Sequence, residues 1–340
     1  MSHQEASDGL EFTRPIKAAS GASLCHLLVI GGGPAGLVAA VGAAGLGAKV
    51  VLAEEQLLGG DCLHTGCVPS KSLLQVARHL SGSISVVKAF QNVRARRAAM
   101  AVADRVERFS ELGIEVLGGR AEFTGTDTAR VGNHEVRFRK SIIATGSRPL
   151  IPSIPGLDNV PYLTTDSVWE LNSDPGRVLV LGGGPVGCEL SQALARLGCP
   201  VTLAHSADRL LSRDDVEASG ILVRALAASG VVVKLATAVT SVAREATGTF
   251  LASTTTGSIA FDTLLLATGR QANFEGIGLK QAGISTMADG PSVKGFDGIR
   301  VDAYLRTSND RVCAVGDCVA AAPRFTHAAD AMARLAVRNG

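Results

Sequence analysis

Two stretches of the 340-residue chain align without a gap, VIGGGPAGLVAAVGAAGLGAKVVLAEE from Val29 and VLGGGPVGCELSQALARLGCPVTLAHS from Val180, 151 positions apart. Each reads as apolar strand, glycine turn, helix and second strand, the unit of a doubly wound α/β fold. Two such folds in one chain also suit its length, which exceeds a single ordinary core. In the first copy Gly31, Gly33 and Gly36 have the dinucleotide fingerprint spacing: one glycine for the tight turn, one for approach of a pyrophosphate, one for helix-on-strand packing. The pyrophosphate then faces a helix N-terminus, where amides and dipole favour an anion. Glu54, 23 positions after Gly31, ends the second strand and can accept from ribose hydroxyls. The second copy has Gly182, Gly184 and Gly187, with His205 where the first has Glu54. A carboxylate there favours a free 2′-hydroxyl and an arginine a 2′-phosphate, whereas histidine does neither strongly. Arg209 and Arg213 follow closely, which tips the expectation from NADH towards NADPH.

Three further segments fit two dinucleotide sites. IIATGSRP (Ile142 to Pro149) and LLLATGRQAN (Leu264 to Asn273) each place an apolar strand before Thr-Gly, and VCAVGDC sets Asp317 after a strand and a glycine, suited to a polyol hydroxyl. The 39 glycines and 4% aromatics agree with many tight strand-to-helix turns. A net charge of +2 excludes a polyelectrolyte, and Arg94, Arg96 and Arg97 read as a solvated helix face rather than a nucleic-acid patch. Leu27 to Ala48 has no charged residue, yet its seven glycines and one proline oppose a membrane span. Glu5, Asp8 and Glu11 sit where a leader would be basic, so a soluble cytoplasmic protein is expected. Seven cysteines at scattered spacings do not form a secreted disulfide framework.

From about Leu27 onward, in motifs and in their order, the chain resembles the class I pyridine nucleotide-disulfide oxidoreductases. GGDCLHTGCVPSK (residues 59 to 71) and RFTHAADAMARLAVRN (from Arg324) look most like the mercuric-reductase-like and dihydrolipoamide-dehydrogenase-like branch. The resemblance implies FAD in the first fold, NADPH or NADH in the second, and a redox-active disulfide between Cys62 and Cys67. It places Gly31, Gly33, Gly36, Glu54, Gly60, Lys71, Ala121, Gly146 and Asp317 against FAD, with Thr326 and His327 near the flavin ring. It places Gly182, Gly184, Gly187, His205, Val239 and Gly269 on the nicotinamide side. Glu189 matches a family glutamate that pairs with the lysine numbered Lys71 here and holds its charge near the flavin.

Zinc is a poor reading of Cys62 and Cys67, because no second Cys or His pair lies at knuckle spacing around them and His64. On a regular helix a five-residue separation puts the Cα atoms roughly 8–9 Å apart. That exceeds the ~7 Å limit for a bridge. A bridged pair therefore requires an irregular segment through Gly66 and a helix beginning near Pro69, with Cys67 at or just before its N-terminus. Such a position favours the thiolate. On this reading Cys67 is the flavin-side thiol and Cys62 the exposed interchange thiol. Two inert cysteines are the alternative. His64 stands where the family has an asparagine, and either tunes the pair or does nothing. Cys25, Cys188, Cys199, Cys313 and Cys318 read as buried apolar residues.

The expected domains are an N-terminal extension (1–24), an FAD-binding part (25–152), an NAD(P)-binding domain (153–289) and a second FAD-binding part (290–340). RPLIPSIPG marks the crossing and ADGPSVKGFDG the return. Family members continue well over 100 residues further into an interface domain that makes the homodimer and carries a histidine-glutamate pair. Its absence from this sequence implies a truncated chain or a shortened relative. The leading expectation is an FAD-dependent NAD(P)H oxidoreductase that passes electrons to Cys62–Cys67 and on to a small disulfide, dithiol or metal-ion substrate, with no nucleic-acid partner and no resident metal. A diaphorase that reduces quinones or oxygen and a non-catalytic flavoprotein remnant are the alternatives. The remnant reading expects exposed apolar surface.

Overall fold

The computed structural model describes residues 23–79, 84–246, 248–287 and 297–339. In chain order, β1 (Ser23–Ile30), α1 (Pro34–Gly45) and β2 (Val50–Glu54) precede three helices, α2 (Gly60–His64), α3 (Cys67–His79) and α4 (Val86–Ala101). Then come α5 (Val106–Glu111), β3 (Ile114–Gly118), β4 (Ala121–Phe123), β5 (Thr128–Val131) and β6 (His134–Ile143). The middle of the chain forms β7 (Ser147–Pro149), β8 (Tyr162–Thr164), β9 (Val178–Leu181), α6 (Pro185–Arg196), β10 (Val201–Ala204), α7 (Val216–Ala228) and β11 (Val231–Lys234). It continues as β12 (Val239–Arg244), β13 (Phe250–Thr254), β14 (Gly257–Phe261), β15 (Thr263–Leu266) and β16 (Arg270–Ala272), and β17 (Val312–Ala314) and α8 (Thr326–Asn339) follow.

These elements form two compact units, one built from residues up to Leu58, Arg105–Thr145 and residues from Phe274, the other from Gly59–Asp104 and Gly146–Asn273. The α/β class expected from the sequence is the one observed. In the first unit β3, β2, β1 and β6 lie side by side in parallel. The other edge of β6 takes β17 in parallel at its end and β5 antiparallel at its start, with β4 beyond. In the second unit β11, β10, β9, β15 and β8 form a five-stranded parallel sheet. An antiparallel meander β12–β13–β14 and the two-stranded pair β7–β16 complete it. Both parallel sheets are buried on both faces, which is why VLVL in β9 is uninterrupted by a polar residue and buried throughout.

The sequence repeat is a stereochemical repeat. Gly31 and Gly182 have φ +106 and +117, values favourable only for glycine. A Cβ at Gly31 would lie 2.4 Å from the Ala144 carbonyl oxygen, and one at Gly182 2.2 Å from that of Ala267. Gly33 and Gly184 cap α1 and α6 with extended backbone, each followed by a proline in the first turn, where a missing N–H costs nothing. Gly47 and Gly198 end the two helices with φ +82 and +93. Leu27–Ala48 is thus strand, turn and a 12-residue helix. Among the described residues no helix is long and apolar enough to cross a membrane.

The units depart from the expected domain boundaries in three places. Residues 59–104 belong to the second unit, because α3 and α4 bury Leu73, Val76, Ala77, Phe90 and Val93 in one core with Trp169, Val180, Leu190 and Leu194. Residues 146–152 join it as well, through β7 and its partner β16. Residues 274–287 return to the first unit, where Ile277, Leu279, Ala282 and Ile284 pack with Phe123 and Val131. The expected extension falls almost wholly outside the described residues, and the 289/290 boundary and most of ADGPSVKGFDG lie outside them.

The arginines of α4 correct a second expectation. Arg94 donates to the carbonyls of Trp169 and Leu171 at 3.0 Å each, and the Arg97 side chain is only 11% exposed. Only Arg96 is exposed, with Gln75 as its partner. The reason is long-range: the turn around Trp169 packs on α4 and leaves carbonyls that need donors.

Candidate functional site

The first unit assembles a cradle from the loop between β1 and α1. A Cβ at Gly36 would sit 1.8 Å from the Gly31 carbonyl oxygen, so only glycine lets α1 close on β1. The first turn of α1 has no acidic residue and no capping side chain, which leaves its amides to a ligand. Glu54 is pinned beneath the turn: one carboxylate oxygen accepts from the Gly32 amide at 2.5 Å, the other from the Gln56 amide at 2.7 Å. Asp317 lies in the 3₁₀ turn Gly316–Cys318. Gly316 packs between Ala35 at the start of α1 and Ala329 of α8, bringing Asp317 to the mouth of the same loop. Thr326 and His327 begin α8, which packs along α1. Ala121 follows Gly119, whose amide donates to the Glu54 carbonyl at 2.8 Å, and its own side chain is buried in the core. Only its backbone can meet a ligand. These residues fit a dinucleotide.

The second unit repeats the cradle. A Cβ at Gly187 would lie 1.9 Å from the Gly182 carbonyl oxygen, and the Ala267 carbonyl abutting Gly182 leads directly into Thr268 and Gly269. Val239 begins β12 and packs against the core formed by Leu179, Leu181 and Ala204. His205 does for the second turn what Glu54 does for the first: its Nδ1 accepts from the Gly183 amide at 3.2 Å. Burial holds its imidazole below the ordinary histidine pKa, so it is neutral near pH 7. Arg209 donates to the Ser212 carbonyl at 2.7 Å.

The cysteine segment belongs to this second unit. Gly59 and Gly60 both have positive φ, +99 and +55, and start α2, a five-residue helix that the sequence reading left irregular. The chain then doubles back. The Thr65 amide donates to the Asp61 carbonyl at 2.9 Å, and a Cβ at Gly66 would meet Asp61 O at 2.9 Å and Cys62 Cα at 3.5 Å. α3 begins at Cys67 itself, so this thiol is at the helix N-terminus, and Pro69 occupies the first turn. Both cysteines are thiols, and Cys62 is half-buried and Cys67 exposed, the reverse of the exposure expected of an interchange and a flavin-side thiol, because Cys62 lies within α2 whereas Cys67 stands at the open start of α3. Four residues on, Lys71 donates to both oxygens of Glu189 on α6 at 2.7 and 2.8 Å, although the lysine is 62% exposed.

Of the residues expected at FAD, Gly60, Lys71 and Gly146 lie in the second unit and the others in the first. Cys25, Cys188 and Cys199 are buried, with burial pushing each thiol up to about 11, and Cys313 is raised for the same reason. Cys318 is buried too. Among the described residues no group of three His, Cys, Asp or Glu is placed to hold a metal ion. Sequence reasoning missed the side chains that grip the cysteine loop. Trp169 Nε1 donates to the Thr65 carbonyl at 2.9 Å, Arg97 to that of His64 at 3.2 Å, and Arg270 binds the Asp61 carboxylate. The single tryptophan was the one available signal.

The model of the family described as "Pyridine nucleotide-disulphide oxidoreductase" matches residues 25–333. The chain is 35% identical to a mercuric reductase of Streptomyces lividans over 92% of its own length and 69% of that protein's. It is 33% identical to a mercuric reductase of Bacillus cereus, covering 92% of this chain and 51% of the relative. Thus it spans between about half and two thirds of the curated relatives it matches. Among solved structures it is similar to the Cu(II) complex of the HOCl-induced flavoprotein disulfide reductase RclA from Escherichia coli, with TM-score 0.83 and 28% identity over 92% of this chain and 70% of that one.

Proposed function

The chain belongs to the pyridine nucleotide-disulphide oxidoreductase family, and from that premise we propose that it is an FAD-dependent NAD(P)H oxidoreductase working through a Cys62–Cys67 couple. Members of this family are FAD-dependent and use NAD(P)H. The observation that carries the reading is the placement of Cys67 at the N-terminus of α3, one turn before a lysine held by Glu189. Helix amides favour the thiolate of Cys67, and Lys71, four residues on, shares its helix face. Glu189, held by both oxygens, keeps the Lys71 charge from wandering.

Gly31, Gly33, Gly36, Glu54 and Asp317 would hold FAD, which would supply hydride acceptance from the nicotinamide and delivery of an electron pair. Overall, NAD(P)H and one proton convert the disulfide to two thiols and leave NAD(P)⁺. Cys62 then attacks a small disulfide or takes up a soft metal ion, for which thiolates are suited ligands. Mercuric reductase relatives and a flavoprotein disulfide reductase neighbour support both substrate classes. Buried thiols at Cys25, Cys188, Cys199, Cys313 and Cys318 suit a reducing, cytoplasmic compartment. The test is an oxygen-free titration of FAD-loaded protein with NADH and, separately, NADPH, followed in the visible spectrum. Flavin bleaching with a long-wavelength band that is lost in Cys67→Ser supports the reading. Bleaching with quinone turnover unchanged in Cys62→Ser favours the diaphorase instead.

A further inference from the structure

Three side chains outside the motif of residues 59–71 converge on the segment Asp61–Thr65, which carries Cys62 and leads to Cys67. Arg97 of α4 bonds the His64 carbonyl and, at 2.5 Å, the Glu170 carboxylate. Trp169, 1% exposed, divides its one N–H between the carbonyls of Thr65 at 2.9 Å and Thr165 at 2.7 Å. Arg270 of β16 binds Asp61, the neighbour of Cys62. The same guanidinium is itself fixed by the Ser147 hydroxyl at 2.7 Å and carbonyl at 2.8 Å, with Asp166 at 3.8 Å. The partners lie 33, 104 and 209 positions away in sequence, all within the second unit.

Each anchor opposes movement of the loop, because displacing the loop gives up a hydrogen bond or ion pair to a donor the surrounding structure already holds in place. The carbonyls of His64 and Thr65, between the two thiols, and the Asp61 carboxylate beside Cys62 are therefore held, so the segment is ordered before the two thiols meet. Prior ordering of this kind raises the effective concentration of one thiol at the other, since the loop entropy has already been removed by folding. A higher effective concentration favours the disulfide over the dithiol, which makes the couple more reducing.

We propose that Arg97, Trp169 and Arg270 are positioning residues that set the redox potential of the Cys62–Cys67 couple by fixing the segment Asp61–Thr65, which carries Cys62 and leads to Cys67. This rests on the redox-pair reading above. The equilibrium concerned is Cys62–SH and Cys67–SH with oxidised glutathione, giving the protein disulfide and two reduced glutathiones. One S–S bond breaks, one forms, and two electrons leave the protein pair.

The full chain is equilibrated in glutathione buffers of graded ratio, and the thiols are counted by alkylation and mass spectrometry. Trp169→Phe keeps the ring while removing the donor, and Arg97→Met and Arg270→Lys weaken the other anchors. Each is expected to move the equilibrium about tenfold towards the dithiol, about 30 mV to more positive potential. Arg97→Lys restores part of the shift. Phe261→Ala, a change in the separate core beneath β12–β14, lowers stability without moving the potential. A couple that forms the disulfide in the wild type but stays within twofold in all three variants overturns this proposal alone, as does a shift towards more negative potential. A wild-type pair that remains dithiol in the most oxidising buffer overturns the redox-pair reading together with it. Should Trp169→Phe fail to fold, the two arginine variants decide the question.

Discussion

Glu54 and His205 show what one residue contributes. Both lie at the end of the second strand of their copy, and both accept the amide of the middle glycine in the turn. A protonated His205 would carry a hydrogen on Nδ1 against the Gly183 N–H. Its folded-state pKa lies below the unfolded value, so the unfolded chain takes up the proton first as the pH falls past about 6.5, and stability declines towards pH 5. Urea midpoints at pH 7 and pH 5 will show this loss, and His205→Asn, which keeps an acceptor and does not titrate, will show less of it. Gly187→Ala places a methyl within 1.9 Å of a carbonyl oxygen and is expected to lower the unfolding free energy by more than about 2 kcal/mol. For Glu189→Gln the change in stability will stay below about 1 kcal/mol, since the pair is largely exposed. Flavin bleaching by NAD(P)H, followed by stopped flow, is expected to slow severalfold in the same variant.

At the scale of elements, legibility followed the range of the interactions. The strands and glycine turns of the repeat were readable because a glycine with φ above +100° and a Cβ clash has no substitute, so the constraint is written locally. The start of α3 was readable from Pro69, which suits a first helical turn. The short helix α2 was not, because its start depends on two consecutive positive-φ glycines and its end on a backbone bond from Thr65 to Asp61. The inward Arg94 of α4 was not readable either, since its acceptors lie more than 70 positions away. Cys62, Cys67, Lys71 and Glu189 were all named in advance, whereas the grip of Arg97, Trp169 and Arg270 on the loop was invisible to spacing. α3 and α4 share one core with β9 and α6, in which the Phe90 and Trp169 rings lie 6.4 Å apart. Phe90→Ala is accordingly expected to cost about 3–5 kcal/mol. Denaturant melts that monitor Trp169 fluorescence will measure it.

For the whole molecule, chain order and cooperative grouping differ. Residues 59–104 interrupt the first unit in sequence yet belong to the second by packing. Hydrogen exchange read by mass spectrometry should show α3 and α4 opening together with β9, β10 and α6, not with β2 and β3 on either side of them in the chain. FAD addition is expected to slow exchange most around Gly31–Gly36 and Asp317, and NAD(P)H around Gly182–Gly187. The same interleaving has a consequence for biosynthesis. The second unit holds all its strands once Asn273 has left the ribosome, whereas β6 of the first unit must wait for β17, and α1 for α8. Until then the nascent chain carries an open parallel edge and an uncovered glycine-rich helix, so translation from Phe274 through α8 is the interval in which a chaperone has most to protect.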